Sequence, residues 1–315
     1  MRNRTKLITL LIIAILLIVV FLFTDLGSNL DYVLPKRTMK IIAIILTGSA
    51  IAFSTVVFQT ITNNRILTPS IIGLDSLYLL IQTFIIFVFG STHMTLMNQH
   101  VNFVISVGLM IVFALLLYHF LFKKEDQNIY FLLLIGLIFG TFFNSLSDFM
   151  QVLIDPNEFL VVQDRMFASF NNVNTELLLI AFVGIVLATL YFLKFTKYLD
   201  VLSLGKEHAI NLGVDYDRVV KQLFVVIAIL ISIATVLVGP ITFLGLLVAN
   251  VAYQFLKTYR HSVLILGAIL ISIIALVSGQ LIVERVFTFS TTISVIINFV
   301  GGVYFIYLLL KESRV

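Results

Sequence analysis

The sequence predicts an all-α integral membrane protein with about ten transmembrane helices. Of its 315 residues, 60% are apolar and only 11% are charged, and the mean hydropathy is +1.12. Soluble domains keep about a quarter of their residues charged. Apolar runs of about 20 residues, long enough to cross a hydrocarbon core of ~30 Å, recur along the chain. These two features exclude a soluble fold.

The apolar runs follow one another with only polar loops between them, so residues 1–315 are expected to form a single transmembrane domain. The first run follows Arg2, Arg4 and Lys6 and exceeds the apolar region of a typical signal peptide. We therefore expect it to be retained as a helix. The predicted spans are residues 7–23, 35–61, 71–90, 101–122, 129–154, 176–195, 219–238, 241–256, 262–282 and 291–310.

Basic residues are distributed unequally between the two sides of these spans. With both termini in the cytoplasm, fifteen of the 20 Lys and Arg residues lie inside, as the positive-inside rule requires. We therefore predict cytoplasmic termini and a multi-pass protein of the cell membrane. The net charge of +4 is spread among loops, which argues against nucleic-acid binding. The five outer residues are Lys36, Arg37, Lys40, Arg165 and Arg285.

Two predicted spans carry polar stripes. Polar groups inside a bilayer usually face the bundle interior or a water-filled path. One stripe would also be explained by helix packing, but two favour a shared aqueous surface. Those of the fifth span fall within about a third of the helix circumference. The fifth span contributes Thr141, Asn144, Ser145, Asp148 and Gln151, and the tenth contributes Ser294 and Asn298.

An acidic residue, Asp75, lies at the start of the third span, just after Pro69 and Gly73. Both preceding residues favour non-helical backbone, which is tolerated at membrane depth only beside protein or a cavity. The segment is therefore either a gate or re-entrant turn, or a simple cap of the third span at the water interface. Asp75 and Ser76, with Asn144 and Ser145, are the candidate inner-gate residues.

Sequence motifs for chemistry are absent. The chain has no nucleotide-binding G-x-x-x-x-G-K-[ST], no H-E-x-x-H and no G-x-S-x-G. It also has no cysteine, which excludes disulfides and thiolate chemistry. The tract from His93 to His100 admits a soft-metal interpretation, but a polar turn between spans is preferred. We predict no metal site, no cofactor and no enzymatic activity in this chain.

A short polar island interrupts the cytosolic loop at about residues 198–217. Residues 206–212 are long enough for about two helical turns. A glycine lies on either side, and Gly213 can adopt the left-handed conformation that ends a helix. A rigid amphipathic stub in such a loop indicates a docking element. Its candidate residues are Leu204, Gly205, Lys206, Glu207, His208, Ala209, Leu212 and Gly213.

Four separated motifs resemble the FecCD-type permeases, which import iron–siderophore complexes, haem and vitamin B12. Three departures from the family pattern favour a ferric-siderophore branch from Gram-positive bacteria, including catecholate carriers such as petrobactin importers. Ala249-Asn250 replaces the usual Pro-His, the arginine-proline-arginine spacing is reduced to Pro35-Lys36-Arg37, and Gly301-Gly302-Val303 replaces Gly-x-Pro. The motifs are Leu34-Pro35-Lys36-Arg37 with residues 59–64 and 69–73, Leu204 to Gly213, Gly239 to Val248, and Gly301 to Lys311.

This resemblance implies a permease domain with the type II ABC importer fold, working by alternating access. The implied partners are a second permease subunit, identical or sibling, two ATPase subunits that bind ATP and Mg²⁺, and an extracellular or periplasmic substrate-binding protein. It further implies that residues 204–213 dock on the ATPase and that the fifth and tenth spans line the path. Lys36, Arg37 and Arg285 would receive acidic residues of the binding protein, unless they only snorkel to headgroups.

The expected function is ATP-driven import of a ferric siderophore. Haem or vitamin B12 import are alternatives within the family. A gradient-driven transporter that uses Asp75 and Asp148 as ion carriers is the rival from another class. The absence of catalytic motifs disfavours an intramembrane enzyme.

Overall fold

A computed structural model describes residues 2–24, 30–90, 98–121, 129–171 and 173–312. Within these ranges the chain is helical and contains no strand. Single-turn 3₁₀ helices cover Pro69–Ile72 and Leu193–Phe195. The α-helices are α1 (Arg2–Phe23), α2 (Leu30–Ile61), α3 (Leu74–Phe89), α4 (Gln99–Leu121), α5 (Ile129–Leu153), α6 (Pro156–Met166), α7 (Thr175–Phe192), α8 (Thr196–Leu202), α9 (Lys206–Asn211), α10 (Tyr216–Val238), α11 (Leu244–Leu256), α12 (His261–Arg285) and α13 (Ile293–Glu312).

Each predicted span coincides with one of the longer helices. Among the described residues, the stretches containing α1, α2, α4, α7, α10 and α12 are long and apolar enough to cross a membrane. Helices α3, α11 and α13 provide shorter apolar stretches. Helix α5 has 25 residues but includes the polar stripe. The chain is an integral membrane protein; ten crossings and cytoplasmic termini remain predictions.

Local sequence explains where several helices begin and end. Asp155 and Asn174 accept hydrogen bonds from backbone N–H groups in the first turns of α6 and α7, and Asp215 does the same for α10. Such caps satisfy donors that have no partner within the helix. Gly90 and Gly239 follow α3 and α10 with positive φ angles, a conformation that glycine adopts without steric cost.

Helix α2 lies at the centre of the bundle and packs against α10, α11 and α12. In the most apolar 18-residue stretch of α2, 83% of the residues are buried, whereas the corresponding share in α1 is 17%. Helix α1 is therefore peripheral, and it packs mainly on α12. Gly245 permits the close approach of α11 to α2, because a Cβ atom there would overlap the buried Thr55 side chain.

Small residues also bring α5 against the turn before α3. A Cβ atom on Gly136 would lie 2.9 Å from the Ile71 carbonyl oxygen, and Gly140 faces Gly73. Gly136 and Gly140, four positions apart on α5, thus permit a close approach of the backbones. Its consequence is that α3, its preceding turn and α5 form one packed unit.

Candidate functional site

Two helices that match predicted spans, α3 and α11, are too short to cross a bilayer core. Helix α3 has 16 residues and α11 has 13, giving lengths of roughly 24 and 20 Å against a core of ~30 Å. Non-helical segments precede both: residues 62–68 with a 3₁₀ turn before α3, and residues 239–243 before α11. Irregular backbone at this depth must be enclosed by protein or line a cavity.

The two entry segments meet at Asp75. This residue lies in the first turn of α3 and is only 8% exposed. Its Oδ2 atom accepts a hydrogen bond from Thr242 Oγ1 at 2.9 Å. Gly73, with φ +87°, makes the turn that precedes it. The structure thus places Asp75 inside the protein, between the starts of two short helices.

Helix α13 supplies two further polar contacts to this region. Ser294 Oγ accepts from the Ala168 N–H at 3.1 Å, and Asn298 Oδ1 accepts from the Phe243 N–H at 3.4 Å. The Ser169 N–H donates to the Val238 carbonyl just before Gly239. The predicted path residues Ser294 and Asn298 therefore lie beside the backbone at Ala168 and Phe243, next to the segment that precedes α11.

The polar stripe of α5 does not join this cluster. The side chains of Thr141, Asn144, Ser145 and Asp148 are exposed on the surface of the chain. Gln151, half-buried, donates to Ser147 Oγ at 2.9 Å. The structure therefore separates the predicted gate residues into Asp75 and half-buried Ser76 on one side, and outward-facing Asn144 and Ser145 on the other.

Sequence analysis missed a buried polar cluster around α3. Gln82 Nε2 donates to Ser106 Oγ at 2.8 Å and to Asn102 Oδ1 at 3.2 Å. The next residue of α3, Thr83, forms a hydrogen bond with Ser147 of α5 at 2.8 Å. The i, i+4 spacing of Asn102 and Ser106, which places both side chains on one face of α4, could have indicated this cluster. These bonds fasten α3 to α4 and α5.

The predicted docking arginines bind the end of α1, on the side of the bundle that the sequence predicts to be outer. Arg37 donates to the Phe21 carbonyl at 2.9 Å, and Arg285 donates to the Thr24 carbonyl at 2.8 Å. Cations are favoured at a helix C-terminus, where carbonyl groups lack intrahelical partners. Lys36 is exposed beside Tyr32. Docking of a binding protein at these residues stays a prediction.

An ion pair absent from the sequence predictions joins α2 to α12. Lys40 Nζ lies 2.9 Å from Glu284 Oε1, and the two side chains are only 18% and 8% exposed. Gln280 donates to the same oxygen at 2.9 Å. The pair fixes the outer ends of two central helices.

Lys40→Met is expected to destabilise the protein by about 3–5 kcal/mol, because it leaves Glu284 buried without its cation. Thermal unfolding in detergent measures this, with the exposed Lys36→Met as the matched control. The double variant Lys40→Met/Glu284→Met should recover most of the loss. An unchanged unfolding midpoint in the single variant would contradict the assignment.

The segment at residues 204–213, which the sequence predicts to be cytosolic, forms the predicted stub. Helix α9 covers residues 206–211, and Gly213 adopts a left-handed conformation with φ +82°. Leu204, Ile210 and Leu212 are 50–63% exposed. Glu207 and His208 are exposed too, while Gly205 and Lys206 are half-buried. Ala209, predicted as part of the docking surface, is instead fully buried, because it faces inward from α9.

The stub is attached to the bundle through Asp200 in α8. Asp200 Oδ1 accepts from the His261 N–H at 2.9 Å and lies 2.6 Å from His261 Nδ1. Partial burial opposes ionisation of Asp200. The hydrogen bonds from His261, with the charges of His261 and Arg260, outweigh it and hold the pKa of this cytosolic carboxyl below its ordinary value. Asp200 is therefore an ionised anchor.

At the inner end of α2, the loop before Pro69 is held by two amides. The carbonyl oxygen of Arg65 accepts from Gln59 Nε2 and, at 3.0 Å, from Asn250 Nδ2. Asn250 is the residue that departs from the family's Pro-His pattern. It also donates to the Leu246 carbonyl, so its amide links α11 to the loop.

Among the described residues, no group of three or more His, Asp or Glu side chains is arranged to hold a metal ion. Residues 93–97 of the tract from His93 to His100 lie outside the described residues, whereas His100 lies in the first turn of α4. That side chain is exposed and pairs with Glu176 at 2.8 Å.

Comparison with known proteins gives a consistent result. Residues 7–311 match the sequence profile of the FecCD transport family. The chain is 67% identical over 314 residues to the petrobactin import system permease protein YclO of Bacillus subtilis (strain 168), covering 100% of the chain and 99% of the relative. It is 38% identical over 280 residues to the petrobactin import system permease protein FatC of Bacillus anthracis, covering 89% and 79%.

The fold is also similar to a solved structure, a metal-chelate type ABC transporter in an inward-facing conformation. The TM-score is 0.84 at 22% sequence identity, covering 98% of this chain and 99% of that one. At this identity the similarity concerns the fold alone.

Proposed function

The chain belongs to the FecCD transport family, and on that premise we propose that it is the permease subunit of an ATP-driven importer of a ferric siderophore. The observation that carries the proposal is its 67% identity, over the whole chain, to a petrobactin import permease. A catecholate siderophore of the petrobactin kind is the proposed substrate. Haem and vitamin B12 are the substrates to be excluded by competition.

The translocation path is proposed to lie between this chain and a second permease subunit, either an identical copy or a sibling. Polar side chains facing lipid are costly, yet α5 exposes Thr141, Asn144, Ser145 and Asp148 on the surface of the chain. A second subunit across this stripe would remove it from lipid and enclose an aqueous surface. Gln151, Ser294 and Asn298 extend the proposed lining.

The gate is proposed at the meeting of α3 and α11. Helices that start inside the bundle can shift their first turns without breaking a continuous helical ladder. Asp75 and Thr242 join these two starts, and Ser76 adjoins Gly140 of α5. Import then needs only that the path binds the siderophore differently in its outward- and inward-facing states. No bond chemistry is assigned to this chain.

The ATPase subunits are proposed to act on this chain by docking on the cytosolic stub. Leu204, Ile210 and Leu212 present apolar side chains to water, and two ATPase subunits that bind ATP and Mg²⁺ are the proposed partners. A substrate-binding protein is the proposed partner on the outer side. Of the three predicted docking residues, Lys36 and Arg285 are exposed and Arg37 is half-buried, and both arginines also bind carbonyl groups at the end of α1.

Uptake of ferric petrobactin into proteoliposomes tests the proposal. The vesicles contain this chain, a second permease and the ATPase subunits, and the binding protein is added outside. We expect uptake that requires ATP, resists dissipation of ion gradients, and is not inhibited by haemin or cobalamin. Uptake without ATP that collapses with an ion gradient would instead support a gradient-driven transporter.

Asp75→Asn sharpens this test, since the gradient-driven rival uses Asp75 as an ion carrier. Asparagine keeps an oxygen that accepts from Thr242, so we expect ATP-driven uptake within about threefold of the unmodified protein. Asp148→Asn, at an exposed position, is the companion variant. Loss of all uptake in both variants, with normal amounts of folded protein, would contradict the proposal.

A further inference from the structure

A chain of polar contacts begins at the exposed Asp200 of α8 and becomes buried as it runs to the end of α2. Asp200 binds both the backbone and the ring of His261, which starts α12 and is only 4% exposed. On the other side of the ring, His261 Nε2 is hydrogen-bonded to Thr60 Oγ1 at 2.9 Å. Thr60 lies in the last turn of α2 and is 5% exposed.

The contacts continue from Thr60 to the loop before α3. The Tyr253 side chain of α11 lies beside Thr60, close enough for an electrostatic interaction with its hydroxyl. The guanidinium of Arg65 lies 4.7 Å from the centre of the Tyr253 ring, within the range of a cation–π contact. Arg65 belongs to residues 62–68, the segment that leads into the 3₁₀ turn and Asp75.

Five side chains from five separate parts of the fold are thus connected in series: Asp200 from α8, His261 from α12, Thr60 from α2, Tyr253 from α11 and Arg65 from the loop. Histidine suits the central position because its ring carries a polar atom on each side. A displacement of α8 therefore acts on a ring that also holds the end of α2.

The order Asp–His–Thr resembles a catalytic triad of acid, base and nucleophile, but the surroundings of these residues do not suit catalysis. Thr60 is buried, and its hydroxyl also contacts the Val56 carbonyl at 2.8 Å. A nucleophile needs an open approach for its substrate. The arrangement is that of a structural connection.

We propose that Asp200, His261, Thr60, Tyr253 and Arg65 form a relay that transmits movement of the cytosolic stub to the inner loop, residues 62–68. The proposal rests on the proposed function, because docking of an ATPase is what would move the stub. It goes further in assigning a path by which that movement reaches the gate. Coupling between two distant sites is carried by packed side chains and hydrogen-bond networks such as this one.

Hydrogen–deuterium exchange on the purified chain tests the connection without any assay of transport. Asp200→Ala perturbs the first link, and we expect amide exchange across residues 62–68 to rise about fivefold. In a Thr60→Val background the same change should add little, because the relay is already cut. Asp217→Ala, which breaks only the surface pair with Lys206, is the matched control and should leave residues 62–68 unchanged.

Thr60→Val and Thr60→Ser then test the relay in the assembled importer. Valine has the shape of threonine without the hydroxyl, and it leaves the Asp200–His261 contact in place. We expect Thr60→Val to lower the number of siderophores imported per ATP hydrolysed by roughly fivefold or more. Thr60→Ser keeps the hydroxyl and should restore the ratio.

The two measurements separate failure of the relay from failure of the proposed function. If Asp200→Ala changes exchange only near its own position, or if uptake and hydrolysis fall together in Thr60→Val, the relay is overturned. If exchange follows the expected pattern but the unmodified assembly imports nothing with ATP, the connection stands and the proposed function is overturned.

Discussion

Gly239→Ala is expected to destabilise the protein by roughly 2–6 kcal/mol, through two costs that act together. Gly239 has φ +96° and ψ 171°, a conformation essentially restricted to glycine. An added Cβ atom would also lie 2.9 Å from Ala168 Cα and 3.1 Å from the Phe167 carbonyl oxygen. Both neighbours are backbone atoms, so neither can rotate away.

The measurement is the midpoint of thermal unfolding in detergent, together with the yield of folded protein. Gly205→Ala is a closely matched control, because Gly205 has nearly the same backbone angles, φ +96° and ψ 166°. Nothing lies within 4 Å of a Cβ atom added there. The fall in the unfolding midpoint of Gly205→Ala therefore measures backbone strain alone. The additional fall in Gly239→Ala measures the cost of the close approach to Ala168. Equal losses in the two variants would contradict the packing described around Ala168.

Leu212→Asp is expected to abolish ATP-driven uptake, with a loss of about 30-fold or more in affinity for the ATPase subunits. The side chain is 63% exposed at the tip of the cytosolic stub, so the substitution should leave the fold intact. A central apolar contact in an interface commonly contributes 2 kcal/mol or more, and a carboxylate would lose it and add a desolvation cost.

Co-purification of the ATPase with the variant measures the effect directly. Asn211→Asp is the matched control, because it adds the same charge at the adjacent exposed position without removing an apolar side chain. A single cysteine at position 212, in a chain that has no native cysteine, also permits crosslinking to the docking cleft. Normal ATPase binding by Leu212→Asp would contradict the docking assignment.

The fold and the stub could be predicted from sequence because their signals are local. Apolar runs identify the long helices, and Gly213 after a short polar run identifies the end of α9. The inward orientation of Ala209 could not be predicted in this way. A helix of six residues has too few positions to define a buried face by periodicity, so tertiary packing decides it.

The contacts that define the candidate site are mostly long-range, and for that reason they escaped prediction. Asp75 and Thr242 are 167 positions apart in sequence, and Thr60 and His261 are 201 apart. Periodicity places a residue on a face of its own helix but does not identify the neighbouring helix. Arg37 illustrates the limit: the sequence predicts that it lies on the outer side, but does not indicate that it binds a carbonyl group of α1.

The fastening of α1 has a consequence for the order in which the protein is made. Helix α1 is synthesised before α12, yet its C-terminal end is held by Arg285, which follows Thr24 by 261 positions. Its N-terminal end is held by contact of Lys6 with the Phe255 carbonyl. At ~5–20 residues per second, a ribosome needs roughly 13–50 seconds to cover that interval. During this time α1 is in the bilayer without α12, its main neighbour. The bundle can therefore close around α1 only after Arg285 has been synthesised.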